Sequence, residues 1–195
     1  MPRRTAAEAE QTRRTIVDSA RRAFAAEGFA AASTTAIADA AGVTRGALYH
    51  HFADKTALFE TVFVELTHEL DERVNAAAGD APDLRSAIEA GTTAYIEFMT
   101  RPEYRQIAVA DGPAVLGLER WHEIDRSVGL ATLQAGLQAL HDEGTLGVDP
   151  TPAITLAVFG AVTELGLSCA RGDLGIGDAA RAITVLFDRL GSAGR

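Results

Sequence analysis

Residues 34–63 read TTAIADAAGVTRGALYHHFADKTALFETVF, and their reading decides the fold. Ile37, Ala38 and Ala41 form a short apolar stripe at helical spacing, and Gly42 follows as a helix-ending glycine. Val43 plugs the turn, and Thr44 is placed to cap a second short helix whose inner face is Leu48 and Phe52. Two short helices joined by a glycine-containing turn of about three or four residues make a helix-turn-helix. The outer face of the second helix carries Thr44, Arg45, Gly46, Tyr49 and His50. Donors and small residues of this kind enter a DNA major groove and touch bases and phosphates. Thr34 and Thr35, opening the first helix, join them as candidate DNA contacts. Asp54 then caps a third helix, with Lys55 in its first turn and Leu58, Phe59, Val62, Phe63, Leu66 and Leu70 along its apolar stripe.

Lys55 is the only lysine among eighteen basic residues. A compact ammonium at a helix N-terminus makes a good phosphate contact; the alternative is an idle, solvated first-turn charge.

These residues resemble the DNA-binding segment of the TetR family of bacterial transcription regulators. The family pattern is met at Thr34, Ile37, Ala38, Ala41, Gly42, Val43, Thr44, Gly46, Leu48, Tyr49, His51, Phe52, Lys55 and Leu58, with Ile16, Ala20 and Phe24 on one face of an upstream helix closed by Glu27-Gly28-Phe29. Thr44 in place of the commoner Ser, and Thr56-Ala57 after the Lys, are minor departures. The resemblance implies an all-α protein with a three-helix DNA-binding head and a six-helix body that dimerises through its last two helices. It also implies a body that binds a small molecule and thereby weakens DNA binding.

Composition agrees with a division of this kind. A chain of 195 residues that is 47% hydrophobic can bury a substantial core. Residues 1–55 hold eight Arg or Lys against six Asp or Glu, a net of +2; the rest hold ten against twenty-one, a net of −11. Such asymmetry fits a head at 1–55 that faces phosphate and a body at 56–195 that phosphate repels. Arg3, Arg4, Arg13 and Arg14 reach the DNA backbone or minor groove, or, for Arg3 and Arg4, form a solvated arm. The single Cys169 excludes an internal disulfide and fits a reducing cytoplasm, and the charged start from Arg3 to Glu10 is no secretory signal.

Beyond the head the periodicity is helical. It predicts helices over 55–77, 83–100, 102–111, 118–143, 151–170 and 178–191, with Gly112-Pro113 ending the third and Val128 on the stripe of the fourth. That makes nine in all, three in the head and six in the body. Residues 153–170 are apolar enough to raise a membrane span, which Glu164, Thr155, Thr163 and Ser168 argue against. Gly160, Ala161 and Gly166 allow a close helix approach; Ala179, Ile183, Leu186, Phe187 and Leu190 stripe the last helix. Val158, Val162, Leu165, Ile183 and Phe187 are the expected dimer contacts.

No catalytic constellation and no cofactor motif is present. His50 and His51 are adjacent on a helix, about 100° apart, and cannot share one metal; His51 is expected inward and His50 outward. His122, Glu123 and Asp125 lie on different azimuths of one helix, so no metal is expected there. Tyr95, Phe98, Met99, Trp121 and Phe159 are candidate walls of an apolar effector pocket, or simply core. Glu164 is its candidate polar anchor, or a structural hydrogen-bonding group. The expected function is a homodimeric repressor that binds a palindromic operator in double-stranded DNA and is released by a small apolar effector. The alternatives are an activator, a ligand-independent regulator, or a helical binding protein or enzyme with a vestigial head.

Overall fold

The computed structural model describes residues 6–127 and 129–192; Arg3, Arg4 and Val128 lie outside the described residues. The chain is all-α, and among the described residues there is no strand. In order come α1 (Ala6–Ala31), α2 (Thr34–Ala40), α3 (Arg45–His51), α4 (Lys55–Gly79), α5 (Leu84–Met99), α6 (Pro102–Tyr104), a π-helical segment (Arg105–Asp111), α7 (Gly112–Leu116), α8 (Leu118–Ser127), α9 (Leu130–Asp142), α10 (Pro152–Arg171) and α11 (Ile176–Ser192). Of the roughly nine helices expected, two are divided further in the structure.

Two breaks account for the difference. The helix expected over 118–143 is two, because Gly129 adopts φ +80°, a conformation that L side chains rarely hold. The segment expected over 102–111 is divided into α6, the π-helical segment and α7, and runs past Gly112-Pro113 to Leu116, ending at Gly117 with φ +79°. Pro113 sits where a helix starts and its missing N–H is harmless. Gly112 is itself helical; a Cβ there would lie 2.7 Å from Trp121 Cδ1. It is glycine for close approach, not for a turn.

The chain folds as two compact units, Met1–Leu66 with Pro102–Trp121, and Thr67–Arg101 with His122–Arg195. They do not coincide with a cut after residue 55. In the first unit α1 contributes Ile16, Val17, Ala20 and Phe24 to the core, and α4 contributes Leu58, Phe59, Val62 and Phe63. Phe24, Phe29 and Phe59 pack together, with Phe59 edge-on to the other two rings at 5.3 and 5.2 Å between centroids. Each such aromatic pair adds about 0.5–1.5 kcal/mol beyond burial.

Segment 102–121 is fastened to this unit by polar contacts. Arg21 grips both Glu103 carboxylate oxygens at 2.7 Å. Asp111 Oδ2 accepts from the Phe29 backbone N–H at 2.8 Å and from Gln106 Nε2 at 3.1 Å. The Phe29 N–H needs this acceptor because Gly28, with φ 76° and ψ 166°, interrupts α1. Trp121 Nε1 donates to the Ala108 carbonyl at 2.7 Å, and Arg120 pairs with Glu60.

In the second unit α5 packs against α9, α10 and α11. Tyr95, Ile96, Phe98 and Met99 are buried there with Val158, Phe159, Val162, Ile183 and Phe187. Gly166 admits a neighbouring helix as the sequence implies: a Cβ would collide with Met99 Sδ of α5.

Candidate nucleic-acid interface

The helix-turn-helix is built by local capping. Ala41 closes α2, Gly42 follows at φ +66°, and the Val43 N–H reaches back to the Ala38 carbonyl at 3.0 Å. Thr44 Oγ1 accepts from the Ala47 N–H at 3.1 Å and starts α3. Asp54 Oδ1 does the same for Ala57 at 2.7 Å in α4. Ser33, which caps α2 through the Ala36 N–H, was not anticipated, though a Ser just before an apolar stripe is a start signal. Leu48 and Phe52 turn inward and are buried, which fixes the opposite face of α3 outward.

That outer face holds most of the expected DNA contacts. Thr35, Thr44, Arg45, Gly46, Tyr49 and His50 are exposed and Thr34 is half-buried. Thr34 Oγ1 and the Tyr49 hydroxyl lie 3.2 Å apart, tying α2 to α3. The hydrogen bond from Thr34, with Arg45 beside it, holds the Tyr49 phenol below its ordinary pKa. The Arg45 guanidinium lies over the Tyr49 ring, 5.4 Å from its centroid, so its position is set before any ligand arrives. A Cβ on Gly46 would meet nothing closer than Thr44 Oγ1 at 3.9 Å, so the chain itself does not require glycine there. Lys55 is set further back. Its ammonium sits 4.5 Å from the Phe29 centroid and 3.5 Å from the Ala30 carbonyl, with donors left over for a further acceptor. Arg13 lies over Phe52, at 5.3 Å. His51 is half-buried rather than fully inward.

Comparison with known proteins gives the lineage. Residues 16–62 match the model of the bacterial regulatory proteins of the tetR family, and residues 86–191, more than half of the chain, match the tetracyclin repressor-like C-terminal domain. The chain belongs to the TetR family. The HTH-type transcriptional regulator SrpR of Pseudomonas putida is 36% identical over 108 residues, 55% of this chain and 49% of SrpR. The HTH-type transcriptional repressor BepR of Brucella suis is 36% identical over 106 residues, 54% of this chain and 51% of BepR. The chain thus spans about half the length of these curated relatives. A TetR-family transcriptional regulator from Pectobacterium atrosepticum superposes with a TM-score of 0.83 at 29% identity, over 98% of this chain and 100% of that one.

The second unit of this TetR-family chain departs from expectation in its site residues. A cavity of about 170 Å³ is lined by residues of α4, α5, α9 and α10 with Gly129. Tyr95 and Phe159 line it, as does Val162, whereas Phe98 and Met99 are buried in the core outside it. Trp121 is not in the cavity; it belongs with the first unit, against Gly112. Glu164 is not a buried acid either: it is exposed and pairs with Arg171 at 2.9 Å. The buried carboxylate is Asp125, 3% exposed, which accepts from the Tyr95 hydroxyl at 3.1 Å. The same hydroxyl lies 3.3 Å from Thr163 Oγ1. Burial pushes the Asp125 carboxyl above the ordinary range, against the pull of Tyr95, His122 and Arg126. The spacing Trp121, Asp125 was a usable signal, since residues four apart share one helix face.

The dimer expectation needs a similar correction. Val158, Val162, Ile183 and Phe187 are buried inside the single chain, and Leu165 is half-buried. The fold uses the large residues for its own core. The exposed residues of α10 include Leu156, Ala157, Gly160 and Ala161, and those of α11 include Ile176, Ala182 and Val185. By length and composition alone α10 could also cross a membrane, but its exposed face carries the Glu164–Arg171 pair.

Proposed function

We propose that this chain is a transcriptional repressor that binds a palindromic operator as a homodimer and is released by a small apolar effector. The observation that carries the DNA-binding part is the outer face of α2 and α3: Thr34, Thr44, Arg45 and Tyr49 arranged around Gly46, which nothing in the chain requires to be glycine. A bare backbone there admits close approach of a groove wall, and Arg45 at the start of α3 is placed to reach a guanine edge. Tyr49 and Lys55 flank it as phosphate contacts. The similarity to the transcriptional regulator SrpR and the transcriptional repressor BepR supports regulation, and BepR supports repression. Such a protein works where the chromosome is, in the cytoplasm.

The dimer places two heads on successive major grooves, about 34 Å apart. An effector that binds better to a conformer with mismatched heads shifts the population off DNA by its differential affinity.

Arg45→Ala should cost about 1–3 kcal/mol on the selected operator and less on mismatched duplexes. Lys55→Ala should weaken all duplexes alike and reduce the salt slope by about one unit. Binding measured by anisotropy across a salt series, on duplexes selected from a random pool, checks both. If Lys55→Ala altered the preferred sequence, or Arg45→Ala left it intact, the assignment of roles would be wrong.

A further inference from the structure

We infer that the cavity of the second unit takes a single neutral ring as its buried ligand group, an inference that rests on the effector reading above. Size comes first. The cavity holds about 170 Å³, and an apolar cavity of about 150 Å³ already suffices for benzene. Two glycines keep its walls close. A Cβ on Gly91 of α5 would lie 3.3 Å from Val74 of α4, and one on Gly136 of α9 would lie 3.1 Å from Ile88 of α5. With no Cβ at either point, the Val74 and Ile88 side chains pack directly against the neighbouring helix and keep the space narrow.

Charge comes second. None of the lining residues is charged, and most of the lining is aliphatic or aromatic. A ligand ion inside would give up hydration with no partner of opposite sign. Tyr95 presents its ring to the cavity while its hydroxyl is held by Asp125. Of the polar lining side chains, the Thr92 hydroxyl is turned to the Ile88 and Glu89 carbonyls, while Asn75 and Thr132 are exposed, so a substituent on the ring finds free polar groups at the exposed end. The larger groove of the same unit, about 500 Å³, is lined by Arg73, Asp80, Glu89 and Glu97 and suits no such ligand.

The test is calorimetric titration of the full chain, without DNA, with toluene, benzoate and benzylammonium, which share one ring and differ in charge. Toluene should bind with a negative heat-capacity change, and both ions about tenfold or more weaker. Ala87→Leu, which puts a side chain into the cavity, should weaken toluene by about tenfold or more; Ala78→Leu, from α4, does the same if the first variant fails to fold. Equal affinity for either ion, or undiminished toluene binding in the folded variants, overturns the inference. A parallel titration on selected DNA separates the two readings. Toluene that binds yet leaves DNA affinity unchanged upholds the cavity assignment and sinks only the effector reading. A charged compound that releases DNA equally well from wild type and Ala87→Leu upholds regulation and overturns the cavity assignment.

Discussion

Asp125, 3% exposed, is held above the ordinary carboxyl range by burial, and the consequence is a pH dependence. Its ordinary value is 3.8, and desolvation raises it in the folded state. The folded protein therefore holds this proton more tightly than the unfolded chain does. The contribution is fully present below the ordinary value and is lost as pH rises through the folded one. Asp125→Asn keeps an acceptor for Tyr95 and removes the titration. The stability of wild type relative to this variant should fall as pH rises from about 4, where an ordinary carboxyl begins to ionise. Urea unfolding of both proteins across a pH series measures it, and a flat or rising difference would count against the cause given. At this scale local signals were readable: the Thr44 and Asp54 caps need only their own neighbours in sequence. Glu164 was misjudged because an apolar helix does not say which of its faces the rest of the chain covers. Asp125 was missed for the complementary reason, its hydrogen-bond donor Tyr95 lying 30 residues away.

Among the elements, the least readable was the run from Pro102 to Leu116. Its apolar spacing is helical, yet hydrogen bonding widens to a π pattern over Arg105–Asp111. One residue's difference in register leaves almost no trace in composition, and π segments are rare enough that none is expected beforehand. The segment ends on Asp111, whose carboxylate serves the backbone exposed by the Gly28 break in α1. Asp111→Ala removes the acceptor for the Phe29 N–H and should cost about 1–2 kcal/mol, the lower part of the range for bonds to charged groups because the site is half-exposed. Asp111→Asn keeps an oxygen and should lose less. Thermal unfolding ranks the three proteins; an Ala variant as stable as wild type would show the contact to be idle. By contrast the turn between α2 and α3 was legible, since Gly42 and Thr44 set it themselves, whereas the Ser33 cap of α2 was not read.

For the whole molecule, the charge division and the two family matches agree on an amino-terminal tetR-type segment followed by a helical body. The all-α class was legible from periodicity throughout. The dimer face was not, because large apolar residues in the last two helices were equally compatible with core, and core is where they lie. The proposed homodimer would use the exposed row Leu156, Ala157, Gly160 and Ala161, in which all but Leu156 are small. Leu156→Arg should leave the single chain's stability within about 0.5 kcal/mol, as exposed sites usually do. Placed against a partner, the same charge should dissociate the dimer. Sedimentation at low micromolar concentration decides it, and a dimer that persists unchanged moves the interface off α10.

The backbone passes between the two compact units three times, after Leu66, Arg101 and Trp121. Transplanting this reader onto another body therefore cannot be done with one splice. A graft cut once, after residue 55 or 66, would strip Arg21 of Glu103 and the Phe29 amide of Asp111. It would also leave behind the stretch containing Tyr104, Ile107 and Ala108, buried residues of the same unit. A transferable cassette has to carry 102–121 along with the amino-terminal helices, so the unit to be transplanted is discontinuous in the gene.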